Sequence, residues 1–232
     1  MNNVLFPNGY KCLICGTEIV PGYFDICDAC YLKLPFISGK VCLGCGESIF
    51  SSANYCLNCK NTKRYFEQCF SLFNFDGEIK RLIHELKYDG KKYVAKTLSN
   101  FLLKQFAVKN LNVDVIIPIP LHESKFKIRG FNQSELLCSS FIKFGFNVDT
   151  TNLIRIKDTT TQTNLTKQER LKNMENAFKC VNKKLIKGKT VLLIDDVYTT
   201  GATFNEASKV LINAGASKVY GLTVAHTVLN KS

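Results

Sequence analysis

The chain has 232 residues, 46% of them apolar and 22% charged, close to the globular average, which excludes wholesale disorder, collagen-like repeats and a membrane bundle. That length accommodates one large domain or a small one joined to a medium one, at about 100 to 200 residues per domain. The longest stretches free of Asp, Glu, Lys and Arg, Ser48–Cys59 and Val219–Asn230, are each 12 residues, short of the roughly 18 that a membrane-spanning helix needs.

The net charge of +12 is unevenly placed. Residues 1–60 carry four basic residues (Lys11, Lys33, Lys40, Lys60) and four acidic ones (Glu18, Asp25, Asp28, Glu47), so the remainder holds 27 basic against 15 acidic. A positive field of this size favours a phosphate ligand or nucleic acid over neutral partners, although a solvated lysine surface has the same composition. MNNVLFPNGY has no basic residue ahead of Lys11 and is unlike a secretory signal, so the expected location is the cytosol.

Eight of the eleven cysteines form four Cys-x-x-Cys pairs: Cys12/Cys15, Cys27/Cys30, Cys42/Cys45 and Cys56/Cys59. Two intervening residues let a tight turn aim both thiolates at one tetrahedral ion. Gly16 and Gly46 follow the first and third pairs, where such a knuckle often needs positive φ. CLICGTEIVPGYFDICDAC is repeated as CLGCGESIFSSANYCLNC at an offset of 30 residues for the first pair and 29 for the second, so each copy reads as a four-cysteine zinc ribbon. Two structural zinc ions are expected, one on Cys12, Cys15, Cys27 and Cys30 and one on Cys42, Cys45, Cys56 and Cys59; the spacing also permits an interleaved arrangement. Redox cysteines or an iron–sulfur cluster would not need this symmetric pattern. Four thiolates per ion leave no open position for hydrolytic chemistry. Cys69, Cys138 and Cys180 stand alone in apolar settings and read as core residues, and His84, His122 and His226 as structural or surface groups.

Beyond about Glu67 strands and helices alternate. Cys69–Phe75 reads as a strand, and Ile79, Leu82, Ile83 and Leu86 mark one helix face. A helix over Val94–Phe106, a strand over Val113–Pro120 and a helix over Ser134–Phe144 follow. Thr190–Val197 is a continuously apolar strand, Ala207, Val210, Leu211 and Ala214 a helix face, and Lys218–Thr227 the last strand. This order is that of an α/β domain with a mainly parallel sheet, whose ligands bind at the carboxyl ends of strands.

One strand end carries most of the chemistry: Val191–Ile194, then Asp195, Asp196, Val197, Tyr198, Thr199, Thr200, Gly201, Ala202 and Thr203. Free backbone N–H groups at the following helix attract a phosphate, the threonines add hydroxyl donors, and the two carboxylates suit ribose hydroxyls or hydrated Mg²⁺. A sugar phosphate fits both halves. Arg129 either binds a further phosphate or anchors a loop. The stretch Asp158–Lys167, with five threonines, reads as a lid or as a solvated connection.

This pattern resembles the phosphoribosyl pyrophosphate (PRPP) motif of type I phosphoribosyltransferases, and nearly the whole chain resembles the ComF (competence protein F, GntX-like) family. The matching residues are the cysteine ribbons, Leu86-Lys87-Tyr88, Ile117-Pro118-Ile119-Pro120-Leu121, Arg129-Gly130-Phe131-Asn132-Gln133, and Thr161-Gln162 through Leu165, Arg170, Asn173 and Phe178. The resemblance implies a double zinc ribbon over 1–62 and a phosphoribosyltransferase-like domain over 63–232. It places Asp195 and Asp196 on the ribose and metal side, Thr199–Thr203 on the 5′-phosphate, and Ile119–Leu121, with Pro120, at the pyrophosphate. It further implies Mg²⁺ with PRPP, and a role in natural transformation with single-stranded DNA and a helicase-like partner, in the cytosol or at the inner face of the membrane. Two basic-aromatic clusters are candidates for the strand: Lys63, Arg64, Tyr65, Phe66 and Lys87, Tyr88, Lys91, Lys92, Tyr93. The alternative is an active enzyme that moves the phosphoribosyl group to a nitrogen acceptor. Type I enzymes cover that acceptor with a hood, which the five residues after the last strand cannot form; residues 61–76 or the ribbons would have to replace it.

Overall fold

The computed structural model describes residues 10–159 and 167–227. Each ribbon is two knuckles, the second of which opens a single helical turn, α1 (Asp28–Tyr31) or α2 (Leu57–Lys60). The chain then enters β1 (Cys69–Asn74), α3 (Gly77–Tyr88), α4 (Val94–Lys109), β2 (Val115–Pro118), α5 (Glu123–Arg129), α6 (Gln133–Leu136) and α7 (Ser139–Lys143). β3 (Leu153–Arg155), α8 (Lys167–Met174), β4 (Phe178–Cys180), β5 (Thr190–Tyr198), α9 (Ala202–Asn213) and β6 (Lys218–His226) complete it.

Four strands form one sheet in the order β1-β6-β5-β2, with every pairing parallel. Parallel strands are covered on both faces, and β5 obeys this: Val191 through Ile194 are fully buried. Leu192 and Ile194 pack with α3, α4 and α7, whereas Val191 and Leu193 pack with α9. On α3 the expected face is the buried one, since Ile79, Leu82, Ile83 and Leu86 lose essentially all solvent contact, a gross stabilisation of roughly 6–12 kcal/mol at 1.5–3 per side chain.

The ribbons sit on opposite faces of the sheet. The first docks on α4, with Phe24 stacked 4.0 Å from Phe101 and the Thr97 hydroxyl donating to Asp25. The second shares a core with β5 and α9, where Cys42, Cys45 and Cys59 pack with Phe66, Tyr198 and Phe204.

Two features differ from the sequence expectation. The helix expected over Ser134–Phe144 is broken into α6 and α7, because Ser99 Oγ donates to Leu137 O (2.7 Å) and accepts from Ser140 N (2.9 Å), replacing helical bonds. A small antiparallel ribbon, β3 with β4, is additional. The stretch 160–166, with the expected lid and Thr161 through Leu165, and residues 228–232 lie outside the described residues. Among the described residues no helix is long and apolar enough to cross a membrane.

Candidate functional site

A cleft of about 750 Å³ opens at the carboxyl ends of β2 and β5. It is lined by Asp195, Asp196, Val197, Thr199 and Thr203 from β5 and the start of α9, and by Pro120, Leu121 and Arg129 from the β2 side. The Asn132 side chain fixes that side: it accepts from Ser134 N as the cap of α6 and donates to Ile119 O at 3.1 Å. Gly130 makes this turn possible by ending α5 at φ 76°.

The two carboxylates are held differently. Asp196, 3% exposed, is ion-paired to Lys87 on the last turn of α3. Burial pushes it up, but the Lys87 ammonium outweighs burial and holds it below the usual carboxylate range. Asp195 accepts from Ser134 Oγ at 2.8 Å and from Asp196 N at 2.9 Å. Burial, and then the neighbouring Asp196 charge, push it up to about 7. One carboxylate is therefore fixed as an anion and the other poised to lose its proton near neutrality.

Past them, Gly201 at φ 78° starts α9 and, having no side chain, offers no cap of its own; the Ala202 amide makes a long 3.4 Å bond to Thr200 Oγ1, and the positive end of the helix faces the carboxylates. Strand alternation turns the Tyr198 ring away from the cleft; it is 5% exposed and stacks 4.9 Å from His226. Thr200 and Gly201 likewise line a separate pocket of about 40 Å³ beneath the second ribbon, and Thr199 borders both. Ala202 is buried in the core.

Lys125 and Arg155 were not singled out by sequence, yet both line the cleft with Arg129. Lys125 donates to Thr159 O at 2.8 Å, and burial, then Arg155, lower its pKa. Arg155 lies over Phe178 at 5.7 Å and donates to Thr159 Oγ1. Arginine is scarce in this lysine-rich chain, five of 31 cations, and an arginine at the end of a β-prone run was the available signal. Arg129 donates to Gln133 and lies 5.4 Å from the Tyr88 ring.

The eight paired cysteines form two groups in sequential order, and within each group the ligand atoms lie within 4.8 Å of one another. Cys15 and Cys27 Sγ are 3.7 Å apart, and Cys45 and Cys56 Sγ 3.8 Å; a tetrahedron with Zn–S bonds of about 2.3 Å has edges of about 3.8 Å. Amides of Ile14 and Cys27 donate to Cys12 Sγ, as those of Gly44 and Cys56 do to Cys42 Sγ. The donor sets fit structural zinc, and the interleaved arrangement is not the one formed.

A family model described as Double zinc ribbon domain matches residues 1–60, and one described as Phosphoribosyl transferase domain matches residues 143–229. Competence protein F of Haemophilus influenzae is 28% identical over 227 residues, covering 93% of this chain and 97% of that protein. The DNA utilization protein YhgH of Salmonella typhimurium is 27% identical over 214 residues (90% and 93%), and Competence protein ComFC of Bacillus subtilis 29% over 209 (86% and 83%). The resemblance to the ComF (competence protein F) family thus extends over most of the chain. The chain's combination of two four-cysteine ribbons with a parallel phosphoribosyltransferase-like sheet is the one the resemblance implied.

The basic-aromatic clusters fare less well as open tracks for a strand. Phe66 is buried, Arg64 donates to Cys59 O at 2.7 Å, and Tyr65 N donates to Asn205. Lys87 is committed to Asp196, Lys91 pairs with Glu85 at 3.2 Å, and Lys92 lies 4.8 Å from the Phe131 ring. Tyr88 and Tyr93 alone of the second cluster keep broadly exposed rings. Among the described residues neither ribbon lines the cleft, and of residues 61–76 Phe75 alone does.

Proposed function

We propose that the cleft binds PRPP with Mg²⁺, and that the protein uses this site in handling single-stranded DNA in the cytosol, with the helicase-like partner that the family resemblance implies. The observation that carries the reading is the opposition of charges across one cleft. On β5 lie the carboxylates of Asp195 and Asp196 beside the start of α9, and facing them lie Lys125, Arg129 and Arg155. A helix start takes a monophosphate, carboxylates take ribose hydroxyls, and clustered cations take a second, more highly charged group. Mg²⁺ would offset charge on the pyrophosphate. Asp195 is the carboxylate able to face it, since Asp196 is held by Lys87. The names of the relatives, DNA utilization protein and competence protein, together with the net charge of +12, support the DNA half.

Calorimetric titration of PRPP with Mg²⁺ tests the first half, with Asp195→Asn as the control variant. Saturable binding that the variant weakens at least about tenfold, about 1.4 kcal/mol, with zinc content unchanged, is expected; equal binding by both would remove the assignment. Binding of an unstructured oligonucleotide should weaken steeply between 50 and 200 mM salt, as phosphate contacts require. Pyrophosphate release on adding a free base would instead favour the phosphoribosyl-transfer reading, to which the cleft space beyond the carboxylates lends itself.

A further inference from the structure

The second ribbon and the turn that starts α9 meet behind the cleft. Cys45, Cys56 and Cys59 line the small cavity of about 40 Å³ together with Thr199, Thr200 and Gly201, so zinc ligands and the turn before α9 share one enclosure. Two rings fill the space between them. Tyr198 lies edge-on to Phe66 at 6.5 Å and stacks on Phe204 at 5.8 Å, and Phe66 lies edge-on to Phe204 at 6.4 Å. All three rings are buried in one core with Cys42, Cys45 and Cys59. A close-packed core passes a displacement on, because its side chains have no room to absorb it.

Three consecutive residues between Cys59 and β1 hold both partners. Arg64 donates to Cys59 O at 2.7 Å, and a Cβ on Gly44 would come within 2.7 Å of its guanidinium carbon, so Arg64 clasps both knuckles of the ribbon. Tyr65 N donates to Asn205 Oδ1 at 3.0 Å, and Asn205 N donates to Gly201 O at 2.8 Å, a first-turn bond of α9. Phe66 supplies the ring between Tyr198 and Phe204. The first ribbon is attached elsewhere: Phe24 stacks on α4, and Leu13 O accepts from Arg81 on α3 at 3.0 Å. Among the described residues none of the first ribbon lines the cavity.

We infer that zinc in the second ribbon and a phosphate at the start of α9 are linked through Arg64, Tyr65 and Phe66, each raising the affinity of the other, while zinc in the first ribbon is indifferent to that ligand. Zinc is what keeps four thiolates together in a pair of knuckles. Without it Cys45 and Cys59 no longer present a fixed surface to Phe66 and Tyr198, and the turn before α9 loses its support. A phosphate that fixes the turn holds the same contacts from the other side, and linkage makes the two effects equal in size. The inference rests on the sugar-phosphate reading of the Asp195–Thr203 segment and adds its control by a metal site outside the cleft.

The test is competition for zinc between the full chain and a chelator, with and without saturating ribose 5-phosphate, and alkylation of the freed thiols locates the ion lost. Ribose 5-phosphate should raise the zinc affinity of the second ribbon about fivefold or more, the lower range of coupling between sites, and leave that of the first within about twofold. Arg64→Ala and, separately, Asn205→Ala should bind ribose 5-phosphate within about threefold of wild type and still hold both zinc ions, yet reduce the effect to less than about twofold. A thermal melt of each variant checks folding. Full retention of the effect in a folded variant overturns the inference, since the ligand would then protect zinc merely by stabilising the whole chain. Equal tightening of both ribbons overturns it for the same reason. Binding of ribose 5-phosphate with no change in zinc affinity removes the linkage while the sugar-phosphate reading stands. Failure of wild type to bind ribose 5-phosphate at all removes that reading and the linkage together.

Discussion

Lys87 and Asp196 are joined by an ion pair that ties the end of α3 to the end of β5, with 21% and 4% of their side chains exposed. The pair closes one side of the cleft and brings α3 to the carboxylates. Removing one member of a buried pair strands the other charge, at about 3–5 kcal/mol. Lys87→Met should therefore lower the melting temperature by about 6–20 °C, taking 2–4 °C per kcal/mol for a chain of this size. Adding Asp196→Asn should recover part of the loss, since the stranded charge disappears. A Lys87→Met protein that melts with wild type would show the pair to be energetically idle.

Asp195 and Asp196 give opposite pH dependences. Asp195 is raised in the fold, to about 7, so its contribution is complete below the ordinary carboxylate pKa and is lost as pH rises through 7. Asp196 is lowered by Lys87, so its contribution is present above the ordinary value and fades only as pH falls beneath it. Between pH 5 and 8 Asp195 is thus the member of the pair that titrates. Urea melts of wild type and Asp195→Asn should show wild type losing stability relative to the variant as pH rises from 5 to 8. A constant difference would mean that Asp195 is ionised throughout.

What was legible in the sequence was local. The zinc groups follow from spacings of two residues, and α3 from four apolar positions on one face, all of them buried. The strand running into Asp195 and Asp196 was readable because a continuous apolar run needs both faces covered. Long-range contacts were not readable. β3 and β4 are three residues each with no periodicity to detect, and a hydroxyl at Ser99 splits a helix 38 positions away. Lys87 reads as a surface cation until the fold places it on Asp196. The site segment was visible, but which of its side chains face the ligand depends on strand alternation, which turns Tyr198 inward.

The two zinc ribbons should differ in how firmly they are held. Cys69 N donates to Gly44 O at 2.8 Å, and a Cβ on Gly46 would come within 2.6 Å of Cys69 O, so the second ribbon is pressed onto the backbone of β1. The segment after the first ribbon also pairs with β1, by Ile37 N to Leu72 O at 2.9 Å and Asn74 N to Pro35 O at 2.8 Å, but its zinc end is more open: Cys15 is exposed and Cys27 and Cys30 half-buried, whereas Cys42, Cys45 and Cys59 are buried. A chelator should therefore remove zinc in two phases, about one equivalent quickly from the first ribbon and the second only as the domain opens. Hydrogen exchange over residues 198–204 should stay slow through the first phase and quicken in the second. A single phase would contradict this asymmetry.

Gly201 is the residue on which the start of α9 depends. Its φ of 78° lies in the left-handed region, and a Cβ there would run into the Tyr198 ring, which cannot swing aside because it is 5% exposed and stacked on His226. The backbone alone costs about 1–2 kcal/mol for a non-glycine residue, and the collision adds to it. Gly201→Ala should therefore lower the melting temperature by at least about 2–8 °C and weaken ribose 5-phosphate binding, because the first-turn amides of α9 shift with the loop. Tyr198→Phe in the same chain removes the hydroxyl nearest the new methyl and should restore part of the stability, but not the part owed to the backbone. If Gly201→Ala melts and binds as wild type does, the turn tolerates a side chain and Tyr198 does not brace it.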